Sequence, residues 1–387
     1  MKHIDSRLAQ IGSRADPATG AVSYPIYQAT AFRHPRLGQS TGFDYSRTKS
    51  PTRSVLEAAF AELESGDAAF ACGSGMAALQ TVFMLFSSGD HLLVSLDLYG
   101  GTFRLIEQVL GRFGLSASYV DTNDLGALEA HYRPGATKAV LIETPTNPLM
   151  MITDLARTAA WAKSNGLLTI VDNTLLTPYF QRPIELGADI VVHSATKYLA
   201  GHNDVLAGMI VTKGEELSQR VAFLHNSVGS ALAPQESWLL MRGLKTLALR
   251  MERHQSNALR LTEWLSNHPL VDRVYYPALP THPGHEIQKK QASGNTGIFS
   301  FKVKDAALVE PILRHIRLIA FAESLGGVES LMTYPAVQTH ADIPKEIRDA
   351  VGVDDRLLRL SAGIEHPDDL IDDLAQAFDA AARELGY

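Results

Sequence analysis

Between residues 68 and 211 short apolar runs alternate with stretches of helical period, and this alternation restricts the architectures open to the chain more than any other feature. The runs are Ala68 to Ala71, Leu92 to Ser95, Ala139 to Ile142, Leu167 to Val171, Ile190 to Val192 and Met209 to Val211. Helical patterns over Gly75 to Phe86, Thr102 to Arg112 and Asp154 to Asn165 lie between them. Strands alternating with helices predict an α/β fold with a large, mainly parallel sheet covered on both faces. Periodicity leaves the direction of the strand near residue 210 open.

Residues 1–50 are rich in Pro, Gly, Ser, Thr and Arg without a sustained period, and read as an extended arm. Ser50-Pro-Thr-Arg53 is a helix start, continued by Val55 to Leu63. A helical pattern from Glu236 to Leu265 predicts a spine leading out of the first unit. Beyond it lie a Pro/Gly-rich loop (Tyr276 to Gly284), an alternating strand (Ile298 to Val303) and a helix (Ala306 to His315). Strands over Leu318 to Phe321 and Leu357 to Ser361 and a closing helix from Asp368 complete a smaller α+β unit. The expected division is an arm over 1–50, a large domain over 51–245 and a C-terminal domain over 246–387.

The 387 residues carry 42 acids against 35 bases, a net charge of −7 with no basic block, which argues against a nucleic-acid partner. A lone cysteine, Cys72, gives no disulfide framework and no cysteine zinc site, and suits a reducing compartment. No signal-peptide core and no membrane-length apolar run is present, so the expected location is the cytoplasm and no membrane or metal partner is expected.

Lys197 follows the Ile190 strand in His193-Ser-Ala-Thr-Lys-Tyr198, just past a strand end, where open α/β sheets bind ligands. An amine partly removed from water loses its proton readily and becomes a nucleophile toward carbonyls. Most lysines are surface charges, so position alone does not make this one reactive. Asp172 ends the preceding strand, and a carboxylate there can pair with a protonated pyridine nitrogen. Cys72-Gly-Ser-Gly-Met-Ala-Ala78 follows a strand and opens a helix, a backbone suited to a phosphate. Together these residues predict pyridoxal 5'-phosphate (PLP), held by Lys197 as a Schiff base. Tyr99, before Gly100-Gly101, could stack on a flat cofactor, and Arg359 suits a substrate carboxylate. Glu143-Thr-Pro-Thr-Asn147-Pro148 ends another strand with an amide. The glycine segment also matches G-x-G-x-x-A with Asp97 as a ribose-binding acid, so an NAD-dependent dehydrogenase is the alternative from a different class.

With these residues assembled, the chain resembles the PLP-dependent Cys/Met metabolism family. That family includes cystathionine γ-synthase, cystathionine γ- and β-lyases, methionine γ-lyase and homoserine-ester sulfhydrylases. The matches run in order: Phe43-Asp-Tyr-Ser-Arg47, Ser50-Pro-Thr-Arg53, Gly73-Ser-Gly-Met-Ala77, Tyr99-Gly-Gly-Thr102, Glu143-Thr-Pro-Thr-Asn-Pro148, Val171-Asp-Asn-Thr174, His193 to Tyr198, Ala322-Glu-Ser-Leu-Gly-Gly327 and Arg359 to Glu365. The resemblance implies the aspartate-aminotransferase-like (type I) fold and a homotetramer of two tight dimers. It implies that Tyr45 and Arg47 reach the phosphate of a neighbouring subunit, while Gly75, Met76, Ser194 and Thr196 hold it within one subunit. Tyr99 would stack on the ring, Asp172 would pair with its nitrogen, and Asn147, Ser324 and Arg359 would fix the amino-acid substrate.

Within the family, methionine γ-lyases carry Cys where Gly101 stands, and enterobacterial-type β-lyases carry Trp where Leu325 stands. Asp44, the 322–330 segment and Thr333-Tyr-Pro-Ala336 are most similar to bacterial γ-synthases, including those acting on O-acetylhomoserine that also take sulfide. The resemblance therefore implies γ-replacement on an O-acylhomoserine by cysteine, in methionine biosynthesis. A γ- or β-lyase of the same family is the alternative, because it uses much of the same machinery. Thr48-Lys49-Ser50 replaces the more usual Arg/Ser-Gly-Asn near the substrate entrance, which bears on the acyl group accepted.

Overall fold

The computed structural model describes residues 2–339 and 345–387. Seven strands form the larger sheet: β1 (Ala68–Cys72), β2 (His91–Ser95), β3 (Ser116–Val120), β4 (Thr137–Glu143), β5 (Leu168–Asp172), β6 (Ile190–Ser194) and β7 (Gly208–Thr212). Their order is β1-β7-β6-β5-β4-β2-β3. The run β6 to β3 is parallel, and β7 is antiparallel to both its neighbours. The central strands are apolar throughout because both faces are covered. Val171, Val191 and Val211 enter one core with Leu56 and Phe60 of the helix Pro51–Leu63. Ile170, Ile190, Val192 and Ile210 enter another with Ala78, Leu79 and Val82 of the helix Gly75–Phe83. The six apolar runs are thus all strands of one mainly parallel sheet, as their alternation with helices predicts.

A second, five-stranded sheet comprises β8 (Val271–Tyr275), β9 (Ile298–Val303), β10 (Ala320–Phe321), β11 (Leu331–Thr333) and β12 (Leu357–Ser361), in the order β10-β11-β12-β9-β8. Helices Leu247–Ser266 and Pro367–Leu385 cover it, burying Leu261, Leu265, Leu370, Leu374 and Phe378 against Phe299 and Phe301. Among the described residues no helix is long and apolar enough to cross a membrane.

Several elements differ from the sequence expectation. The helix expected over Glu236 to Leu265 is two, Pro234–Leu244 and Leu247–Ser266. At the break the Gly243 carbonyl accepts the Thr246 amide in a tighter turn (3.2 Å) and also the buried Arg250 guanidinium (2.8 Å). The pattern at Thr102 to Arg112 is α-helical only over Gly100–Arg104, then widens into a π turn (Leu105–Val109) and tightens into a 3₁₀ turn (Leu110–Phe113). The arm contains a short helix, Ile4–Ala9. Strands β3, β8 and β11 carry no long apolar run, and β3 and β8 are edge strands, so periodicity misses them.

The topology also excludes the dinucleotide reading. In such a fold the glycine-turn strand and the strand bearing the ribose acid are neighbours. Here β7, β6, β5 and β4 separate β1 from β2. Asp97 is buried, and its Oδ2 accepts from Thr146 Oγ1 and the Leu149 amide.

β7 approaches the glycine turn so closely that Gly208 has no room for a side chain. A Cβ there would lie 2.1 Å from the Ser74 carbonyl oxygen and 2.9 Å from the Gly75 nitrogen. Overpacking against backbone costs about 1–3 kcal/mol. Gly208→Ala is therefore expected to lower the melting temperature measured by calorimetry; an unchanged value would contradict this packing.

Candidate active site

The parallel strands deliver Glu143, Asp172 and Ser194 to one edge of the sheet, each at its strand's carboxyl end. After Ser194 the chain turns. The Lys197 amide donates to the Ser194 carbonyl (3.2 Å), and the Gly201 amide to the Lys197 carbonyl (2.8 Å). Thr196 Oγ1 donates to the Ala207 carbonyl (3.1 Å) and accepts from its amide (3.0 Å), closing the loop onto β7. A short turn so fastened leaves the Lys197 side chain little freedom to retreat into solvent.

Lys197 Nζ donates to Ser324 Oγ at 3.0 Å. Burial, assisted by the Arg359 cation and opposed by Glu323, pushes the amine down to about 8. Ser324 has φ 116°, a region that non-glycine residues occupy at a cost of about 1–3 kcal/mol. The Arg359 guanidinium spans the same place: one terminal nitrogen donates to Asn147 Oδ1 (3.0 Å), the other to the Ser324 carbonyl (2.8 Å) and Thr333 Oγ1 (2.9 Å). Its Nε is buried without a hydrogen-bond partner. Burial lowers this guanidinium to about 10, and among the described residues no carboxylate bonds it. Such a fork has a donor in hand for an incoming carboxylate.

Register in the sheet sets two acids side by side, since Glu143 on β4 pairs with Asp172 on β5. Burial raises both, and with Asp172 facing it as well Glu143 rises well above the usual carboxylate range. Asp172 Oδ1 accepts from both the amide (3.0 Å) and the hydroxyl of Thr174, which holds Asp172 down. Of the two, Asp172 therefore keeps its charged form more readily than Glu143. Glu143 in turn accepts from the Tyr99 amide (3.1 Å) and the Asn147 amide (2.9 Å), fixing two more residues of the site.

The helix Gly75–Phe83 opens at the same cavity, its N-cap Ser74 accepting from the Ala77 amide (3.0 Å). A Cβ on Gly75 would stand 2.8 Å from Ser194 Cβ, so glycine lets the helix start lie directly on the end of β6. Unbonded amides at a helix start, beside the Ser194 hydroxyl, suit an anion.

Gly75, Met76, Tyr99, Asn147, Asp172, Ser194, Thr196, Lys197, Ser324 and Arg359 all border one cavity of about 280 Å³. Tyr45 and Arg47 do not. Both are exposed, with Arg47 over the Tyr45 ring (5.7 Å) and its Nε 3.4 Å from Asn226 Oδ1. Sequence reading missed the parts played by Glu143 and Thr174. The signal for Glu143 is that two successive central strands each end on an acid; pairing alone brings those acids together. Cys72 is wholly buried.

A family model described as "Cys/Met metabolism PLP-dependent enzyme" matches residues 5–379. The chain belongs to that family. Among its relatives is a Bacillus subtilis protein named cystathionine gamma-synthase/O-acetylhomoserine (thiol)-lyase, 53% identical over 97% of this chain and 96% of that one. Another from the same organism, named cystathionine gamma-lyase, is 52% identical over 95% of this chain and 97% of the relative. A solved structure of cystathionine gamma-lyase from Lactobacillus plantarum, complexed with L-serine, superposes with a TM-score of 0.96 at 48% identity, covering 98% of this chain and 99% of that one. The fold of this Cys/Met enzyme is thus that of PLP-dependent cystathionine enzymes, and PLP is its cofactor.

The residues present suit that group. The glycine-lined helix start would take an anion, the Asp172 carboxylate would take a protonated ring nitrogen, and Lys197 would supply an amine that gives up its proton near pH 8, well below an ordinary lysine. Only the unprotonated amine attacks an aldehyde. In the apoprotein, the rate of covalent PLP attachment followed by absorbance is therefore expected to rise with pH and level off above about 8. A rate still climbing toward the ordinary lysine range would show that Lys197 is solvated.

Proposed function

We propose that the chain is a cystathionine γ-synthase, which replaces the acyl group of an O-acylhomoserine, preferentially O-acetylhomoserine, with cysteine and can take sulfide instead. The observation that carries this reading is the chain of contacts Lys197–Ser324–Arg359, which puts a carboxylate-binding fork and a readily deprotonated amine at one residue. A substrate carboxylate on Arg359, with Asn147 beside it, would present its α-carbon toward Lys197. Bound PLP supplies an electron-accepting ring. Lys197, unprotonated above about 8, would take the proton from Cα, give it up, and only then take one from Cβ, carrying one proton at a time. Asp172, held by the two Thr174 bonds that oppose its rise, would pair with the ring nitrogen, while Glu143 is the more strongly raised acid of the two. The Cγ–oxygen bond breaks with release of the carboxylate. Cysteine sulfur forms the new bond at Cγ, its proton leaves with the released carboxylate, and Lys197 would return one proton each to Cβ and Cα in turn.

The relative named as a γ-synthase and thiol-lyase, at 53% identity, supports the synthase reading. Gly101 argues against methionine γ-lysis, since a Cβ there would lie 2.4 Å from the Tyr99 ring. A cystathionine lyase remains the second reading because a relative of that name is 52% identical. We also infer that Tyr45 and Arg47, exposed and outside their own chain's cavity, reach the phosphate of a neighbouring subunit in a homotetramer.

Purified protein offered O-acetyl- or O-succinylhomoserine with cysteine or sulfide is expected to form cystathionine or homocysteine, fastest from the acetyl ester. Consumption of cystathionine alone, with no reaction of either ester, would contradict the synthase. Arg47→Ala is expected to lose bound PLP on gel filtration, and retention at wild-type affinity would contradict the intersubunit contact.

A further inference from the structure

The motif Ser50-Pro-Thr-Arg53 does more than start a helix. An arginine in the first turn opposes the helix dipole, and the first turn of Pro51–Leu63 holds no acid to offset it. Arg53 nevertheless is only 2% exposed, so its guanidinium is committed inward. One terminal nitrogen donates to the Ser46 carbonyl at 2.8 Å, the other to the Arg47 carbonyl at 3.1 Å. Those two carbonyls belong to the peptide planes on either side of the Arg47 Cα, so one side chain fixes both backbone torsions of Arg47. The first nitrogen also reaches the Leu232 carbonyl (3.4 Å), and Nε lies 3.3 Å from Glu57 Oε1, which accepts the Ala71 amide at 3.0 Å. Thr52 pins the arm upstream: its hydroxyl donates to the Pro25 carbonyl (3.0 Å) and accepts the Tyr27 amide (2.9 Å). The backbone at Arg47 is thus locked from the protein side while its own guanidinium stays exposed.

Resting on the reading above that the arm serves a neighbouring subunit, we propose that Arg53 is a positioning residue for the cofactor phosphate. It presets the Arg47 backbone, with Glu57 orienting the fork, so that Tyr45 and Arg47 are presented to the adjoining subunit before PLP arrives. Ordering these groups in advance removes that cost from binding. Lysine cannot substitute, because a single ammonium lacks the planar fork that holds two carbonyls in fixed relation.

The test measures the PLP dissociation constant of reconstituted apoprotein by fluorescence for wild type, Arg47→Ala, Arg53→Lys and Glu57→Gln, with the melting temperature of each. Arg53→Lys is expected to weaken PLP about tenfold, and Glu57→Gln to weaken it by less. Should Arg53→Lys fail to assemble, Glu57→Gln carries the measurement. Co-expression with Lys197→Ala then separates positioning from general damage. In mixed oligomers a Lys197→Ala chain lends an intact arm to the Arg53→Lys chain's own pocket, and those pockets are expected to regain wild-type affinity. If Arg47→Ala loses PLP but Arg53→Lys and Glu57→Gln bind it as wild type, the positioning role is wrong and the intersubunit contact stands. If Arg47→Ala binds PLP normally, the contact itself is wrong. Weakened binding that mixing does not restore would also overturn the proposal, since the defect would then lie within one subunit.

Discussion

An ammonium and a carboxylate removed from water at one cavity each lose hydration, and Lys197 and Asp172 are compensated in opposite ways. Lys197 is given one neutral partner, Ser324 Oγ, and a cation nearby in Arg359, so its charged form is poorly supported and the amine falls to about 8. Asp172 is given two donors from Thr174, which oppose the upward push of burial and favour its charged form over that of Glu143 beside it. The site therefore holds a readily deprotonated amine and a donor-supported carboxylate in one enclosure. That pairing is what a PLP enzyme needs from its protein, and the remaining architecture serves to maintain it.

The larger sheet does this by register. Parallel pairing of β4 with β5 places Glu143 against Asp172, and pairing of β5 with β6 carries the Lys197 turn alongside. Antiparallel β7 then closes the loop after Lys197 through Thr196 and Ala207, and presses Gly208 onto the glycine turn. The second sheet contributes Arg359 from β12, whose fork bonds the Ser324 carbonyl within its own unit and Asn147 Oδ1 beyond β4, joining the two sheets at the cavity. A shift in any one of these pairings would separate groups whose charges depend on one another.

The sequence makes visible what local pattern encodes. The apolar runs of the central strands, the glycine turn at Gly73–Gly75 and the segment around Lys197 each carry their meaning within a few residues. Features created by distant contacts are hidden. The helix break near Gly243 is accompanied by a contact from Arg250 to the Gly243 carbonyl, and β3 is a half-buried edge strand of Ser-Ala-Ser-Tyr-Val with no apolar run. Glu143 reads as a strand end until strand pairing sets it beside Asp172. Asp97 reads as a ribose acid until the strand order removes β2 from the neighbourhood of β1. Arg53 reads as part of a helix start, because the carbonyls it holds lie six and seven residues back and at Leu232.

The central claim is that the desolvated amine of Lys197 is the point of covalent attachment for PLP. Reduction of the holoprotein with borohydride, followed by proteolysis and mass spectrometry, tests it directly. The account predicts a pyridoxyl group on the peptide containing Lys197 and on no other lysine. Labelling of a different lysine, or an unmodified Lys197 after complete reduction, would contradict it.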